Sequence, residues 1–401
     1  MVIGRFDPSI ATGRDHSLLA LDWDKRARAI ADRLTGASVL VAGGAGTIGA
    51  ATVRALLPFG PARLHVVDVD ENGLARLARA LRADGVSGTE LAFLAADIGG
   101  FPAAAHCAAQ PSFDLALDFA AVKHVRSEKS VAALLHLLAV NVVKQDRFFR
   151  MLAEQAGAPR CVAVSTDKAA DPASYMGASK RLLEEILHAA GKRAGFAATT
   201  TRFANVAFSS GSLLESFAER LTTRRPLAAP RETRRFFLSA GEAAQICLLA
   251  LAEEKVDTIV PRLGVERDLL DLADVARRFL AGAGYEAIMV DTLAEAEAIL
   301  ANAGGRRYPV VLTPPDTEGD KAEEVFVGRG ERLVEIGLAN LQGVVVPHAE
   351  SERLERVVAL LADRVEGRVP TANAEELAAI VREVVPNFVH RAGTARLDDR
   401  I

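Results

Sequence analysis

Along residues 37–203, short apolar runs alternate with longer segments of helical periodicity. The apolar runs read as strands at Ala37–Ala42, Arg63–Asp68, Leu91–Ala95, Asp114–Phe119, Arg160–Ser165 and Ala197–Phe203. Between them, leucine and alanine recur at helical spacing over Thr47–Leu57, Asn72–Ala83, Val131–Gln155 and Ser179–Ala190. Strands separated by helices of this length predict a parallel sheet covered on both faces. Leu18–Leu34 reads as a preceding helix. After Asn205 the pattern loosens. Helices are predicted at Leu213–Leu221 and Gly241–Ala252, with a basic, proline-containing loop between them. Further helices follow at Leu270–Leu280, Leu293–Ala303, Arg353–Val365 and Ala374–Val384, and short strands at Ala287–Val290 and Pro309–Leu312. Asn373 and Glu376 have the spacing of a capping box.

The first predicted strand runs into Gly43-Gly44-Ala45-Gly46-Thr47-Ile48-Gly49, which opens a helix. In such a loop Gly43 permits a tight turn, Gly46 lets backbone approach a pyrophosphate, and Gly49 allows close helix–strand packing. Thr47 and Ile48 complete the loop at the helix N-terminus, which favours negative charge. Asp68 ends the second strand, nineteen positions after Gly49, where a carboxylate accepts hydrogen bonds from a ribose diol. An acid there repels a 2′-phosphate, so NAD is favoured over NADP, with Asp70 and Glu71 adding to the effect. The plainer alternative for Asp68 is a cap on the next helix. Asp97 and Ile98 follow the third strand and either meet an adenine or begin a turn.

Residues 162–181 place Thr166, Asp167 and Lys168 side by side at the end of the fifth strand and a second lysine, Lys180, on the next helix. An acid, a base and a cofactor-orienting cation this close can support proton transfer beside a hydride-transfer site. The plainer alternatives are a solvated Asp167–Lys168 ion pair and an exposed helix lysine.

Composition narrows the classes. Of 401 residues, 50% are apolar and 25% charged, enough for one large or two modest globular domains. A net charge of −4 argues against a general nucleic-acid binder, although arginines gather at 224, 225, 231, 234 and 235. Three cysteines lie far apart, so no disulfide framework is implied and a reducing cytoplasm fits. No apolar run is long enough to span a bilayer, and no signal peptide is read. The eight histidines show no metal-ligand spacing, so no metal is expected.

Taken together, the glycine loop and the Thr166–Lys180 segment make the chain resemble the extended short-chain dehydrogenase/reductases (SDRs). Within them it is most similar to the polysaccharide-biosynthesis nucleotide-sugar dehydratases, of the UDP-N-acetylglucosamine 4,6-dehydratase kind. Further carriers of the likeness are Phe119-Ala120-Ala121-Val122-Lys123-His124-Val125, Met176-Gly177-Ala178-Ser179-Lys180-Arg181, Arg202-Phe203-Ala204-Asn205-Val206, Ser209-Ser210-Gly211-Ser212 and Arg234-Arg235-Phe236-Phe237-Leu238. Glu318-Gly319-Asp320-Lys321 is a weaker one.

The resemblance implies an α/β fold: a Rossmann-type doubly wound parallel sheet with a smaller C-terminal substrate lobe. Its expected organisation is an extension at 1–36, an NAD-binding core at 37–205, a substrate lobe at 206–340 interwoven with the core, and a helical segment at 341–401. It implies Asp167 as acid at sugar C6, Lys168 as base at C5, Thr166 on the C4 oxygen and Lys180 on the nicotinamide ribose. Ala120 and Ala121 would pass the cofactor, and Lys123, His124 and Met176 would lie near the sugar. Asn205, Ser209 and Arg235 would face the nucleotide diphosphate, arginine being suited to bidentate phosphate contact. For Lys123 and His124 the plainer alternative is a surface turn, and for the arginines a solvated basic face. Asn141 is expected to bond backbone near the site. Most SDRs carry tyrosine where Met176 stands; some dehydratases of this family carry methionine. Tyr175, one residue off, would point about 100° away on a helix. The implied activity is 4,6-dehydration of a UDP-sugar by a homodimer or higher oligomer associating through the Val131–Gln155 and Ser179–Ala190 helices. The alternatives are an epimerase or oxidoreductase on the same kind of sugar, and a non-catalytic dinucleotide sensor.

Overall fold

A computed structural model describes residues 7–123, 128, 130–155, 157–302, 305–314 and 325–390. His124 and the Glu318–Lys321 motif lie outside these described residues.

The chain begins with α1 (Ser9–Thr12) and α2 (Ala20–Leu34). The core then alternates β1 (Ser38–Ala42), α3 (Thr47–Leu56), β2 (Arg63–Asp68), α4 (Glu71–Ala83), β3 (Glu90–Ala95), α5 (Phe101–Ala108) and β4 (Leu115–Asp118). It continues through α6 (Val131–Leu138), α7 (Lys144–Ala153), β5 (Arg160–Thr166), α8 (Tyr175–Ala194) and β6 (Ala198–Phe203). After β6 come β7 (Asn205–Val206), α9 (Leu213–Thr222), β8 (Leu227–Pro230) and β9 (Arg234–Leu238), then α10 (Ala240–Leu251), which returns to pack in the core with β1 and α3. Next come β10 (Thr258–Pro261), α11 (Val265–Asp268), β11 (Leu269–Asp271), α12 (Leu272–Gly282), β12 (Glu286–Val290), α13 (Leu293–Asn302) and β13 (Arg307–Thr313). The described chain closes with β14 (Arg332–Val334), β15 (Leu341–Val345), α14 (Ser351–Val365) and α15 (Ala374–Arg382).

The main sheet runs β14-β15-β10-β6-β5-β4-β1-β2-β3. Its strands from β10 to β3 are parallel, and β15 and β14 add antiparallel at the edge. The order 3-2-1-4-5-6 is the doubly wound arrangement, with its reversal between β1 and β4. Burial on both faces explains why β1 reads as an unbroken apolar run, Ser-Val-Leu-Val-Ala, rather than an alternating one. Two three-stranded sheets, β11-β9-β7 and β12-β13-β8, form the lobe.

Several expectations need correction. The basic loop after α9 contains two strands, β8 and β9, because its Leu-Ala-Ala-Pro and Arg-Arg-Phe-Phe-Leu runs pair with distant partners, β13 and β11. Helix α8 starts at Tyr175 rather than Ser179, because the Ser174 hydroxyl accepts the Gly177 N–H and caps it. The Val131–Gln155 helix is divided by a π-helical turn, Ala139–Val143. At the start of α15 the Asn373 side chain accepts the Glu376 N–H, but the Glu376 carboxylate reaches the Ala372 N–H, one residue short of a reciprocal box.

Helices α14 and α15 cover the face expected to carry association. Leu354, Val357, Leu361, Leu377 and Val381 share one core with Leu134, Leu138 and Val142 and with Leu183, Ile186 and Leu187 of α8. The same chain thus supplies apolar cover for α6 and α8.

Candidate active site

The glycine loop sits where the strand order reverses. Gly43 has a φ of 71°, a left-handed conformation that favours glycine. A Cβ on it would stand 2.7 Å from the Phe119 carbonyl carbon, so the loop after β4 crosses directly over it. A Cβ on Gly49 would collide with the Gly43 carbonyl oxygen and lie 2.7 Å from Gly44 Cα. Gly46 is the N-cap of α3 and offers no side-chain cap to the N–H groups of the helix N-terminus, where Thr47 and Ile48 stand; an end of this kind favours negative charge. Gly49→Ala must push α3 away from the loop, and a destabilisation of about 1–3 kcal/mol is expected from such overpacking. Urea denaturation of the variant beside the parent measures it.

Asp68 is tied into this loop. Its carboxylate accepts the Ala45 N–H (2.8 Å) and the Asp70 N–H (2.9 Å). Asp70, not Asp68, caps α4 by accepting the Gly73 N–H. Asp97 pairs with Lys144 and accepts the Gly99 N–H, making the turn after β3, while Ile98 is buried in the core. Ala121 is exposed and Ala120 half-buried in the loop after β4.

At the end of β5, Thr166 and Asp167 begin a single 3₁₀ turn. The Thr166 hydroxyl donates to Asp167 Oδ1 (2.7 Å), and the Lys168 N–H donates to the same oxygen (2.9 Å). Lys168 Nζ lies 3.8 Å from that carboxylate. Asp167 is buried at 2% exposure while the Lys168 side chain keeps 16%, so the pair is half sheltered rather than fully solvated. Gly177 seats α8 against the turn: a Cβ there would collide with the Lys168 carbonyl oxygen.

Lys180 is 5% exposed, not on an open helix face, and its Nζ donates to the Val164 carbonyl of β5 at 2.8 Å. Burial lowers its pKa, against the pull of Asp118 and Glu184. Asp118, which the sequence reading did not single out, ends β4 at 2% exposure. Burial lifts its carboxyl to about 6, resisted by the charge of Lys180, the Ala120 N–H and Gln145. A lone acid closing an otherwise apolar strand was the available signal.

Asn141, in the π turn, holds the loop after β4. Its side chain accepts the Val122 N–H and donates to the Val122 carbonyl, both at 2.8 Å, and it also donates to Ser179 (3.0 Å). Lys123 has an exposed side chain, yet desolvation by the protein around it lowers its pKa, with Glu215 opposing. Met176 is buried in the core and its N–H donates to Glu128. Tyr175 turns away from the site, its hydroxyl bonding the Ala374 carbonyl and its ring meeting Phe388 and His390.

On the lobe side, the Ser210 N–H donates to Thr47 Oγ1 (3.3 Å), joining the 209–212 turn to the head of α3. Ser212 is the N-cap of α9. Asn205 donates to the Phe236 carbonyl (3.3 Å), and Arg235 is buried on β9. A groove of about 850 Å³ opens where β10 ends, between Val260–Arg267 and Val325–Val327. Arg262 and Arg267, which line it, are paired with Glu335 and Asp268.

Behind the turn lies a network that sequence reading missed. Arg202 is fully buried and donates to both oxygens of Glu184 (2.7 and 2.6 Å) and both of Glu331 (2.6 and 2.7 Å). It also donates to the Phe326 carbonyl at 3.0 Å. This clamps residues 326–331 against the turn, where a Cβ on Gly328 would collide with the Ala170 carbonyl. A charged residue inside the Thr-Thr-Thr-Arg-Phe strand was the signal, since a buried guanidinium demands partners.

A doubly wound sheet with a glycine loop at its reversal, a Thr-Asp-Lys turn with its carboxylate buried and a lysine reaching back to the same strand defines the class as an extended SDR of Rossmann type. The chain belongs to the polysaccharide biosynthesis protein family, whose signature matches residues 39–320. It is 28% identical over 218 residues to an uncharacterized membrane protein of Methanocaldococcus jannaschii, covering 53% of this chain and 62% of that one. It is also 28% identical over 254 residues to the probable polysaccharide biosynthesis protein EpsC of Bacillus subtilis, covering 61% of this chain and 41% of EpsC. The match thus spans less than two thirds of either relative. In fold it resembles Pen from Bacillus thuringiensis, with a TM-score of 0.63, 18% identity and coverage of 82% of this chain and 98% of Pen. It also resembles the dTDP-glucose 4,6-dehydratase DesIV of Streptomyces venezuelae, solved with NAD and TYD (TM-score 0.53, 20% identity, 86% and 96% coverage). Among the described residues, no helix is long and apolar enough to cross a membrane.

Proposed function

We propose that this chain is an NAD-dependent nucleotide-sugar 4,6-dehydratase acting on a UDP-sugar, with UDP-N-acetylglucosamine as the first candidate. The observation that carries this reading is the Asp167–Lys168 pair at the end of β5, a buried carboxylate and a partly exposed amine held 3.8 Å apart, with Lys180 bonded to the same strand. An epimerase needs only oxidation at C4, whereas loss of water across C5 and C6 needs both a base and an acid.

The glycine cradle, the uncapped α3 N-terminus and the Asp68 carboxylate fit a dinucleotide, and the acid favours NAD over NADP. NAD supplies the acceptor for the C4 hydride and its return to C6. Lys180 would hold the nicotinamide ribose, its charge balanced by Asp118. Thr166 would hydrogen-bond the C4 oxygen, and Asp167 would take the C4 hydroxyl proton. Lys168 would remove the proton from C5, made acidic by the 4-keto group. Asp167 would then pass its proton to the departing C6 hydroxyl, so that one water leaves. Reprotonation at C5 from Lys168 completes the balance. Asn205, Ser209 and Arg235 would face the diphosphate, and Lys123 the sugar.

The test is incubation with UDP-N-acetylglucosamine and a trace of NAD in D₂O, read by mass spectrometry and NMR. Loss of water with deuterium at C5 is expected. A C4 epimer with no loss of water would replace the dehydratase reading with the epimerase one.

A further inference from the structure

We propose that His188, Asp257 and His348 form a binding site for one divalent transition-metal ion of the zinc type, which fastens the C-terminal helices to the core. The three residues come from separate segments: α8, the approach to β10, and the connection from β15 to α14. One ligand atom from each lies within 4.8 Å of the others. Donors on a tetrahedral zinc at about 2.0–2.2 Å stand roughly 3.4 Å apart. His348 Nε2 and Asp257 Oδ1 are already 3.5 Å apart. Small side-chain rotations close the remainder.

The surroundings orient the ligands as metal sites require. His348 Nδ1 bonds Glu185 (3.1 Å), which leaves Nε2 turned toward Asp257. A carboxylate behind an imidazole fixes its tautomer and raises its basicity as a ligand. Glu185 is itself fixed by Arg181 and by the Ala349 N–H. The second oxygen of Asp257 accepts the Val346 N–H at 2.8 Å. His188 bonds the Asp257 carbonyl through Nε2 (2.9 Å). His348 and Asp257 retain side-chain exposures of 31% and 27%, which gives an ion a path in and room for water as a fourth ligand.

The site lies at the N-terminal end of β10, whereas the Thr166–Lys168 turn lies at the C-terminal end of the parallel β5, so it is separate from the candidate active site. Its role is structural: an ion here ties the chain entering α14 to α8, under the apolar cover described above.

The experiment uses the full chain, free of any affinity tag and stripped with chelator, titrated with Zn²⁺ by calorimetry and with Co²⁺ by visible absorption. Uptake of one ion per chain is expected, with a Tm that rises and saturates at one equivalent. His188→Gln and His348→Asn should abolish the uptake, and Glu185→Gln should weaken it about 10–100-fold. His348 is the most exposed of the three ligands, so its variant tests the site without opening the core. Failure of the folded parent to take up one equivalent would overturn the proposal. So would uptake that persists unchanged in both ligand variants, which would mark adventitious binding.

Discussion

Asp167→Asn is expected to lower turnover of the preferred nucleotide sugar by about 10²–10⁴-fold, the usual worth of a positioned acid–base group. The substitution keeps shape and an oxygen for the Thr166 hydroxyl and Lys168 N–H to reach, so the turn retains its bonds. It removes the group that carries a proton from the C4 hydroxyl to the C6 oxygen. Lys168→Met should be equally damaging overall but should divide the reaction differently. Oxidation at C4 survives, seen as reduced nicotinamide in a single turnover, while C5 gains no deuterium. Steady-state rates and single-turnover absorbance read the two variants. Full turnover by Asp167→Asn would remove that residue from the proposed chemistry, and unchanged C5 exchange in Lys168→Met would remove the lysine.

Arg202→Met is the second large effect, a loss of about 3–5 kcal/mol of stability, because it strips from the buried Glu184 and Glu331 the guanidinium that bonds both, leaving Glu184 only Arg181 as a cation. The pH dependence carries its own signature. Burial raises the Glu184 pKa, but the charge and hydrogen bonds of Arg202 outweigh this and hold it at about 2, against an ordinary 4.5. A carboxyl lowered on folding contributes stability that is complete above its unfolded pKa and lost as pH falls through the folded one. In the parent, this contribution should therefore disappear between about pH 4.5 and 2, and the variant should lack that part of the slope. Urea denaturation across pH measures both. A variant within about 1 kcal/mol of the parent at pH 7 would contradict the clamp.

The same two sites show what was legible beforehand. Asp167 and Lys168 were readable because their setting is local: an apolar run ends, a turn begins, and the charged pair must stand at the strand's C-terminal edge. Arg202 was visible only as part of a motif, since its partners lie 18 and 129 positions away. Helical geometry alone points Tyr175 away from the site, but its partner proves to be α15, about 200 residues on. The basic loop concealed β8 and β9 because a strand's existence depends on a pairing edge, and their edges are β13 and β11.

By itself the sequence determined the six strands of residues 37–203, the helices α3 and α4, the strand boundaries at Arg63–Asp68, and the glycine turn. Each follows from period, glycine conformation or capping chemistry acting over a few residues. Only the tertiary structure decided which carboxylate sits beside Lys180, what clamps residues 326–331 onto the Thr166–Lys168 turn, and what covers α6 and α8. Those outcomes depend on desolvation and on contacts between distant segments, and neither is encoded in local spacing.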